Sequence, residues 1–218
     1  MLEDIIKTTV KPGYAEITEK KSRFIAHTRP VKSEEEARAF IEEIKKKYYD
    51  ARHNVFAYQI GEKNELKRFS DDGEPQGTAG MPVLSVLSSE DIKNTAVVVT
   101  RYFGGILLGT GGLVRAYTAA AKAGLDNAGV CQIGLYKKYS VECDYTQSGK
   151  IQYELSKGEY FVENTDFTDK VTYTVYIENS RADIFEALIT EITSGSVQAQ
   201  LKDTLRGACT EEGFKLYE

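Results

Sequence analysis

Residues 95–117 read TAVVVTRYFGGILLGTGGLVRAY, and the organisation of the first half of the chain follows from them. Thr95–Arg101 is nearly continuous in apolar, β-branched residues, the character of a central strand buried on both faces. Glycines 104, 105, 109, 111 and 112 come next. They permit tight and left-handed backbone that other residues resist. An alanine-rich stretch predicts a long helix over 112–128. A strand, a glycine-rich turn and a helix start thus stand in sequence. The first amides of that helix have no intrahelical acceptors and lie at the positive end of its dipole, a place that suits phosphate or carboxylate. Arg115 and Lys122 are seven residues apart on one helical face, and Arg101 ends the strand. All three cations are expected to point at one anion. The glycines would equally serve close packing of helix on sheet, with the arginines paired to surface acids. No Gly-Lys-Ser/Thr follows, and the G-x-G-x-x-G spacing with a distant acid is missing, so neither common nucleotide loop is present.

A second segment, SDDGEPQGTAG at residues 70–80, is rich in acids and turn formers. Asp71, Asp72 and Glu74 are the carboxylates that would hold a divalent cation such as Mg2+ against a phosphate, since hard cations prefer oxygen ligands. Asp-Gly is also an ordinary turn. Thr78 is placed to cap the helix expected over 79–89. His53 opens a strand between Arg52 and Asn54, without a cysteine or serine partner nearby that it would activate. Tyr102 and Phe103 either pack or, if exposed, stack on a base. Binding, rather than catalysis, is the chemistry these residues favour.

Outward from these motifs, Tyr14–Thr18 and Arg23–Val31 read as strands around a charged turn at Glu19–Lys21. Ser33 and Glu36 form a capping box, and Ala37, Phe40, Ile41, Ile44 and Tyr48 follow at helical spacing. Asn54–Ile60 reads as a strand packed on one face, before a polar loop through Glu62–Lys67. After Gly129 the pattern restarts. Tyr139, Val141 and Cys143 alternate, a helix fits Gln147–Lys157, and Tyr160–Val162 and Val171–Ile177 make strands around a turn at Asp166–Asp169. Ser180 and Asp183 precede a helix striped by Ile184, Phe185, Leu188, Ile189 and Ile192, and Val197–Leu201 closes as a strand. This β-α-β-β-α-β order is the ferredoxin-like split unit. The class is α+β, with domains expected at 1–133 and 134–218.

The chain has 218 residues, 41% hydrophobic and 28% charged, enough for two modest cores. Its net charge of −5 argues against a general polyanion binder. Residues 1–133 carry 19 basic and 18 acidic side chains, whereas 134–218 carry 9 and 15. A local patch on the first domain is therefore the better candidate for nucleic acid. No run approaches the ~18–20 apolar residues of a membrane span. Cys131, Cys143 and Cys209 are odd in number and form no C-x-x-C pair, and the two histidines, His27 and His53, are far apart. Zinc and a disulfide framework are not expected, and the cytosol is the expected compartment.

Together the two motifs, R-Y-F-G-G-x-L-L-G-x-G-G-L-x-R-A-Y and S-D-D-G-E-P-x-G-T-A-G, with His-Asn before an aromatic strand, resemble the IMPACT/YigZ family over about residues 14–129. The remainder resembles the ferredoxin-like domain behind this module in bacterial members. The resemblance implies that the first domain has the fold of the second domain of a small-subunit ribosomal protein, an α/β sandwich also used in elongation factor G. The second is expected to resemble the factor's following domain. It implies a role in translation, since eukaryotic relatives regulate it during amino-acid starvation by competing for an activator of a stress kinase. RNA, the ribosome or a translation-associated protein are the expected partners. An enzyme acting on a phosphorylated small molecule, and a plain protein–protein adaptor, are the alternatives.

Overall fold

The computed structural model describes residues 5–217 other than 64, 159, 211 and 212. The chain divides into two compact units within one long strand, the first spanning Ile6–Gln132 and the second running from Ile133 onward.

The first unit runs β1 (Ile6–Thr9), β2 (Gly13–Glu19), β3 (Ser22–Pro30), α1 (Glu34–Lys47), β4 (His53–Ile60), β5 (Leu66–Ser70), α2 (Gly80–Ser89), β6 (Thr95–Tyr102) and α3 (Gly109–Ala128). Strands β2-β3-β6-β4-β5 form a fully antiparallel sheet in that order. Side chains alternate across it, and both faces are covered. On one face Phe24, Ala26, Val55, Ala57, Val97 and Val99 pack against α2 and α3. On the other, Tyr58, Ile60, Ala96 and Val98 pack against Phe40, Ile41 and Ile44 of α1. The expectation that β4 packs on one face is therefore corrected. Its residues fall into both cores because α1 covers the face that the sequence pattern left open.

Helix α1 begins as its capping box requires. Ser33 Oγ accepts the Glu36 N–H at 3.2 Å, and the Glu36 carboxylate accepts the Lys32 N–H at 2.8 Å. Glu34–Glu36 occupy its first turn and Lys45–Lys47 its last, as the helix dipole favours. The polar loop expected through Glu62–Lys67 ends in an unforeseen edge strand, β5, whose Lys and Arg are normal on an edge that must resist further pairing.

The second unit holds the rest of β7 (Val130–Cys143), then α4 (Tyr145–Lys157), β8 (Phe161–Phe167), β9 (Val171–Glu178), a 3-10 turn (Asn179–Arg181), α5 (Ala182–Ile192), β10 (Ala199–Thr210) and β11 (Gly213–Leu216). The order β10-β7-β9-β8 places the fourth, first, third and second strands of the split β-α-β unit side by side, the ferredoxin-like arrangement, with β11 added outside β10. Helices α4 and α5 cover one face through Ile151, Leu155, Phe185 and Ile189. The opposite face carries an aromatic cluster in which the Tyr176 and Phe214 rings stack 4.0 Å apart and Tyr136 meets Phe214 edge-on. The turn expected at Asp166–Asp169 is shorter, because β8 continues to Phe167. Among the described residues no side chain caps α5; the 3-10 turn leads into it instead of the Ser180/Asp183 cap.

Candidate functional site

The antiparallel pairing of β3, β6 and β4 sets Arg101 beside Phe24 and His53 in neighbouring strands. The β5–α2 loop then folds Glu74 onto Arg101. One guanidinium nitrogen meets a Glu74 carboxylate oxygen at 2.7 Å, with the two side chains only 7% and 4% exposed. Tyr117, from the third turn of α3, donates to the same oxygen at 2.8 Å. Burial, and then the Glu74 charge, push the Tyr117 hydroxyl far above the ordinary phenol range, so it stays a donor. Ser22 Oγ completes the knot, accepting from Arg101 at 3.5 Å and from the Gly104 N–H at 3.1 Å. The guanidinium lies 5.4 Å from the Phe24 ring centroid and 5.6 Å from that of Phe103. Buried charges survive only when paired and hydrogen-bonded. The two motifs thus meet through Glu74 and Arg101, and what joins them is structural chemistry.

The other acids do not face the glycine loop. Asp71 accepts N–H groups from Gly77 at 2.8 Å, Ala79 at 3.1 Å and Gly80 at 2.8 Å, so it closes the loop and caps α2 from a distance. Thr78 does not cap that helix: its hydroxyl donates to the Pro75 carbonyl at 2.7 Å. Asp72, with φ of +43°, accepts the Asn54 N–H at 2.6 Å. Its carbonyl accepts from His53 Nδ1 at 2.8 Å, which fixes the proton on that nitrogen. His53 is therefore an anchor of this loop. Asp71, Asp72 and Glu74 are the acids expected to hold Mg2+. Their oxygens are turned to three separate sets of donors, and among the described residues no group of three metal-ligating side chains forms.

The three expected cations do not converge either. Arg101 is buried on Glu74. Lys122 lies 3.8 Å from Glu90, just past the C-terminal end of α2. It is seven residues, about 10 Å, along the helix from Arg115. Tyr102 is held by a 2.7 Å bond from its hydroxyl to Asp50, which pushes its pKa up to about 12, and the Arg23 guanidinium lies 5.6 Å from its ring centroid.

What remains at the loop is a different patch. Helix α3 starts at Gly109, three residues earlier than expected, and among the described residues no side chain caps its first turn. Gly105 and Gly109 have φ of +85° and +71°, with open space where a side chain would stand. Gly111 is open apart from Arg115, whose guanidinium nitrogen lies 3.6 Å from where a Cβ on Gly111 would sit. Arg115 thus folds back over the uncapped turn, without a carboxylate partner among the described residues. Gly104 answers a different need. A Cβ there would lie 2.1 Å from the Lys21 carbonyl oxygen, so glycine lets the β2–β3 turn press against the loop. That turn carries Lys20 and Lys21, both exposed at φ of +43° and +66°. These lysines were legible as a charged turn but not as neighbours of the glycines, since the contact spans more than eighty residues. Between the cations the loop exposes apolar side chains: Leu107 is 83% and Phe103 54% exposed.

A mixed two-sheet α+β chain with this glycine loop fits a recognised class of two-domain protein. The family model described as the Impact N-terminal domain matches residues 20–125, and a domain of unknown function, DUF1949, matches 141–196. The IMPACT family member YvyE of Bacillus subtilis (strain 168) is 43% identical over 188 residues, covering 86% of this chain and 87% of that protein. The IMPACT family member YigZ of Escherichia coli (strain K12) is 37% identical over 184 residues, 82% of this chain and 89% of its own. Protein IMPACT of Mus musculus is 38% identical over 98 residues, which is 43% of this chain and 30% of the mouse protein. A crystal structure of a hypothetical protein, 32% identical, superposes with a TM-score of 0.58 over 93% of this chain and 99% of its own. The chain belongs to the IMPACT family.

Proposed function

We propose that the protein is a non-catalytic, translation-related binding module whose first unit grips RNA phosphate at the Gly104–Gly112 loop. The observation that supports this reading is the loop's two ends: at Gly104 it meets the main chain of the exposed Lys20–Lys21 turn, and at Gly111 the Arg115 guanidinium folds over the helix start. Free amides and three cations without carboxylate partners among the described residues suit a phosphate backbone. The surplus of acids in the second unit confines the contact to this patch. Arg101 and Glu74 shape the loop from beneath and do not touch the ligand. The enzyme alternative loses its support once the three acids are committed to the protein's own donors.

Filter binding of a short single-stranded RNA across a salt series tests this. Arg115→Ala should weaken binding at low salt and flatten the salt slope by about one unit, and Lys20→Ala with Lys21→Ala by about one unit each. Unchanged affinity in all variants would overturn the reading. The exposed Leu107 and Phe103 favour one second reading, a protein partner docked on the same loop. In that case Leu107→Ser, and not Arg115→Ala, would abolish recruitment to ribosome-bound fractions.

A further inference from the structure

The first unit has a second cationic surface, away from the glycine loop. Helix α1 covers β4 and β6 but stops short of the edge strand β5. A groove of about 470 Å3 remains, lined by α1, β4 and β5. Small-molecule sites are commonly of this size. Residues 38, 42 and 45 share one face of α1 by their i, i+4, i+7 spacing and line it. Strand register sets Arg68 opposite Tyr58 and Ser70 opposite Phe56, so Arg68 rises from the same sheet face as both rings.

The floor is aromatic. The Phe56 and Tyr58 rings stand parallel, 9° between planes and 6.2 Å between centroids. Tyr58 is buried and fixed by its hydroxyl bond to Glu34 at 2.9 Å, so it holds the half-buried Phe56 ring in place. The rim is basic. Lys45 Nζ lies 6.0 Å from the Phe56 centroid and only loosely, at 3.8 Å, from Asp72. Arg38 is held by Glu34 at 2.7 Å, yet its side chain is 71% exposed. Arg68 is exposed, bonded to the Lys67 carbonyl at 3.0 Å, and has no carboxylate partner among the described residues. A flat ring next to three cations matches a ligand that is itself flat at one end and anionic at the other. Bases stack on aromatic side chains, and arginine grips phosphate in two-point fashion.

We propose that this groove binds a nucleoside phosphate, with the base against Phe56 and the phosphate between Arg68, Lys45 and Arg38. The site is separate from the glycine loop and does not depend on it. Glu42 is the one acid on the lining, and its charge opposes the phosphate.

Calorimetric titration of the whole protein with the four 5′-ribonucleoside monophosphates, with inorganic phosphate, and with single-stranded octanucleotides tests the proposal. Mononucleotides should bind more tightly than inorganic phosphate. Arg68→Ala should weaken them at least tenfold, the scale of a charged hydrogen bond, and Phe56→Leu severalfold. Glu42→Gln should tighten them severalfold, a gain that a misfolded variant cannot give. Arg115→Ala should leave them unchanged, which separates this site from the loop. An octanucleotide that binds more tightly than its monomer, with a steep salt dependence, identifies a strand as the source; equal affinities identify a free nucleotide. No mononucleotide binding at millimolar concentration by a folded protein, or binding indifferent to both Arg68→Ala and Phe56→Leu, would overturn the proposal.

Discussion

The two units are built from the same parts, an antiparallel sheet and helices, yet they bury different things. The first encloses Arg101, Glu74, Asn54, Gln59 and His27 among its valines and alanines. In the second, tyrosines and cysteine apart, Thr193 is the buried polar side chain among the described residues. The second is an apolar layer with helices on one face and stacked aromatic rings on the other. The difference teaches where a loop is held from beneath. A buried polar network stabilises one geometry at the risk of high cost if a member is lost, which is worth bearing where a loop must be held in one shape. Glu74 and Arg101 hold the glycine loop against β3. Among the described residues of the second unit, no buried ion pair organises a loop in this way.

The largest expected effects sharpen that contrast. Glu74→Ala strips the partner from a buried guanidinium and from the Tyr117 hydroxyl, and should cost about 3–5 kcal/mol, confined to the first unit. Phe185→Ala empties a fully buried site in the apolar unit and should cost a similar 3–5 kcal/mol there. Denaturant unfolding gives the size, and hydrogen exchange gives the location. A loss under about 1 kcal/mol for Glu74→Ala, well below the 3–5 kcal/mol of a broken buried pair, would erase the distinction between the units.

Two glycines should respond with opposite signs. In Gly104→Ala the new methyl meets the Lys21 main chain, which has no flexible end to yield, so about 1–3 kcal/mol should be lost. Gly149 sits in α4 with nothing within 4 Å of an added Cβ, so Gly149→Ala should gain about 0.5–1 kcal/mol from helix propensity. Thermal melts of the two variants read both. A stable Gly104→Ala would mean that the loop does not rest on the Lys20–Lys21 turn.

A pH dependence is also expected of the first unit. His27 is buried, its Nε2 3.0 Å from the Tyr48 hydroxyl. Burial first, with Lys47 and Arg29 adding to it and Glu43 opposing, pulls its pKa down to about 4. The unfolded chain takes up a proton near pH 6.5 that the folded state refuses. Stability is therefore full above about pH 6.5 and falls as pH drops toward 4. Once solvent screening is allowed for, the loss is about 1–2 kcal/mol. His27→Gln should flatten the pH profile of stability in that window. An unchanged slope would assign it to other groups.

Much of this was legible in the chain. The β-branched run 95–101, the alanine-rich helix after the glycines, the Ser33–Glu36 capping box and the stripe from Ile184 to Ile192 all report local periodicity and capping. Such signals act over a few residues and survive in the sequence. Strand β5 was hidden because Leu66–Ser70 is an edge strand whose polar side chains carry no alternation. The one-faced reading of β4 failed for a related reason: which face a strand buries depends on a helix that packs from elsewhere.

The site shows the same boundary. The residue types were legible: glycines where the backbone must turn or approach, arginines near a helix start, acids in an Asp-Gly loop. Their partners were not. Arg101 and Arg115 stand fourteen residues apart in one motif, yet one is sealed onto Glu74 and the other lies open over Gly111. Asp71 and Glu74 are three residues apart, yet one caps a helix and the other neutralises a buried cation. Composition and spacing state which groups can ionise, turn or cap. Burial and partnership, which set whether a charge holds the fold or meets a ligand, arise only when β3, β6 and α3 bring Ser22, Arg101 and Tyr117 around one carboxylate.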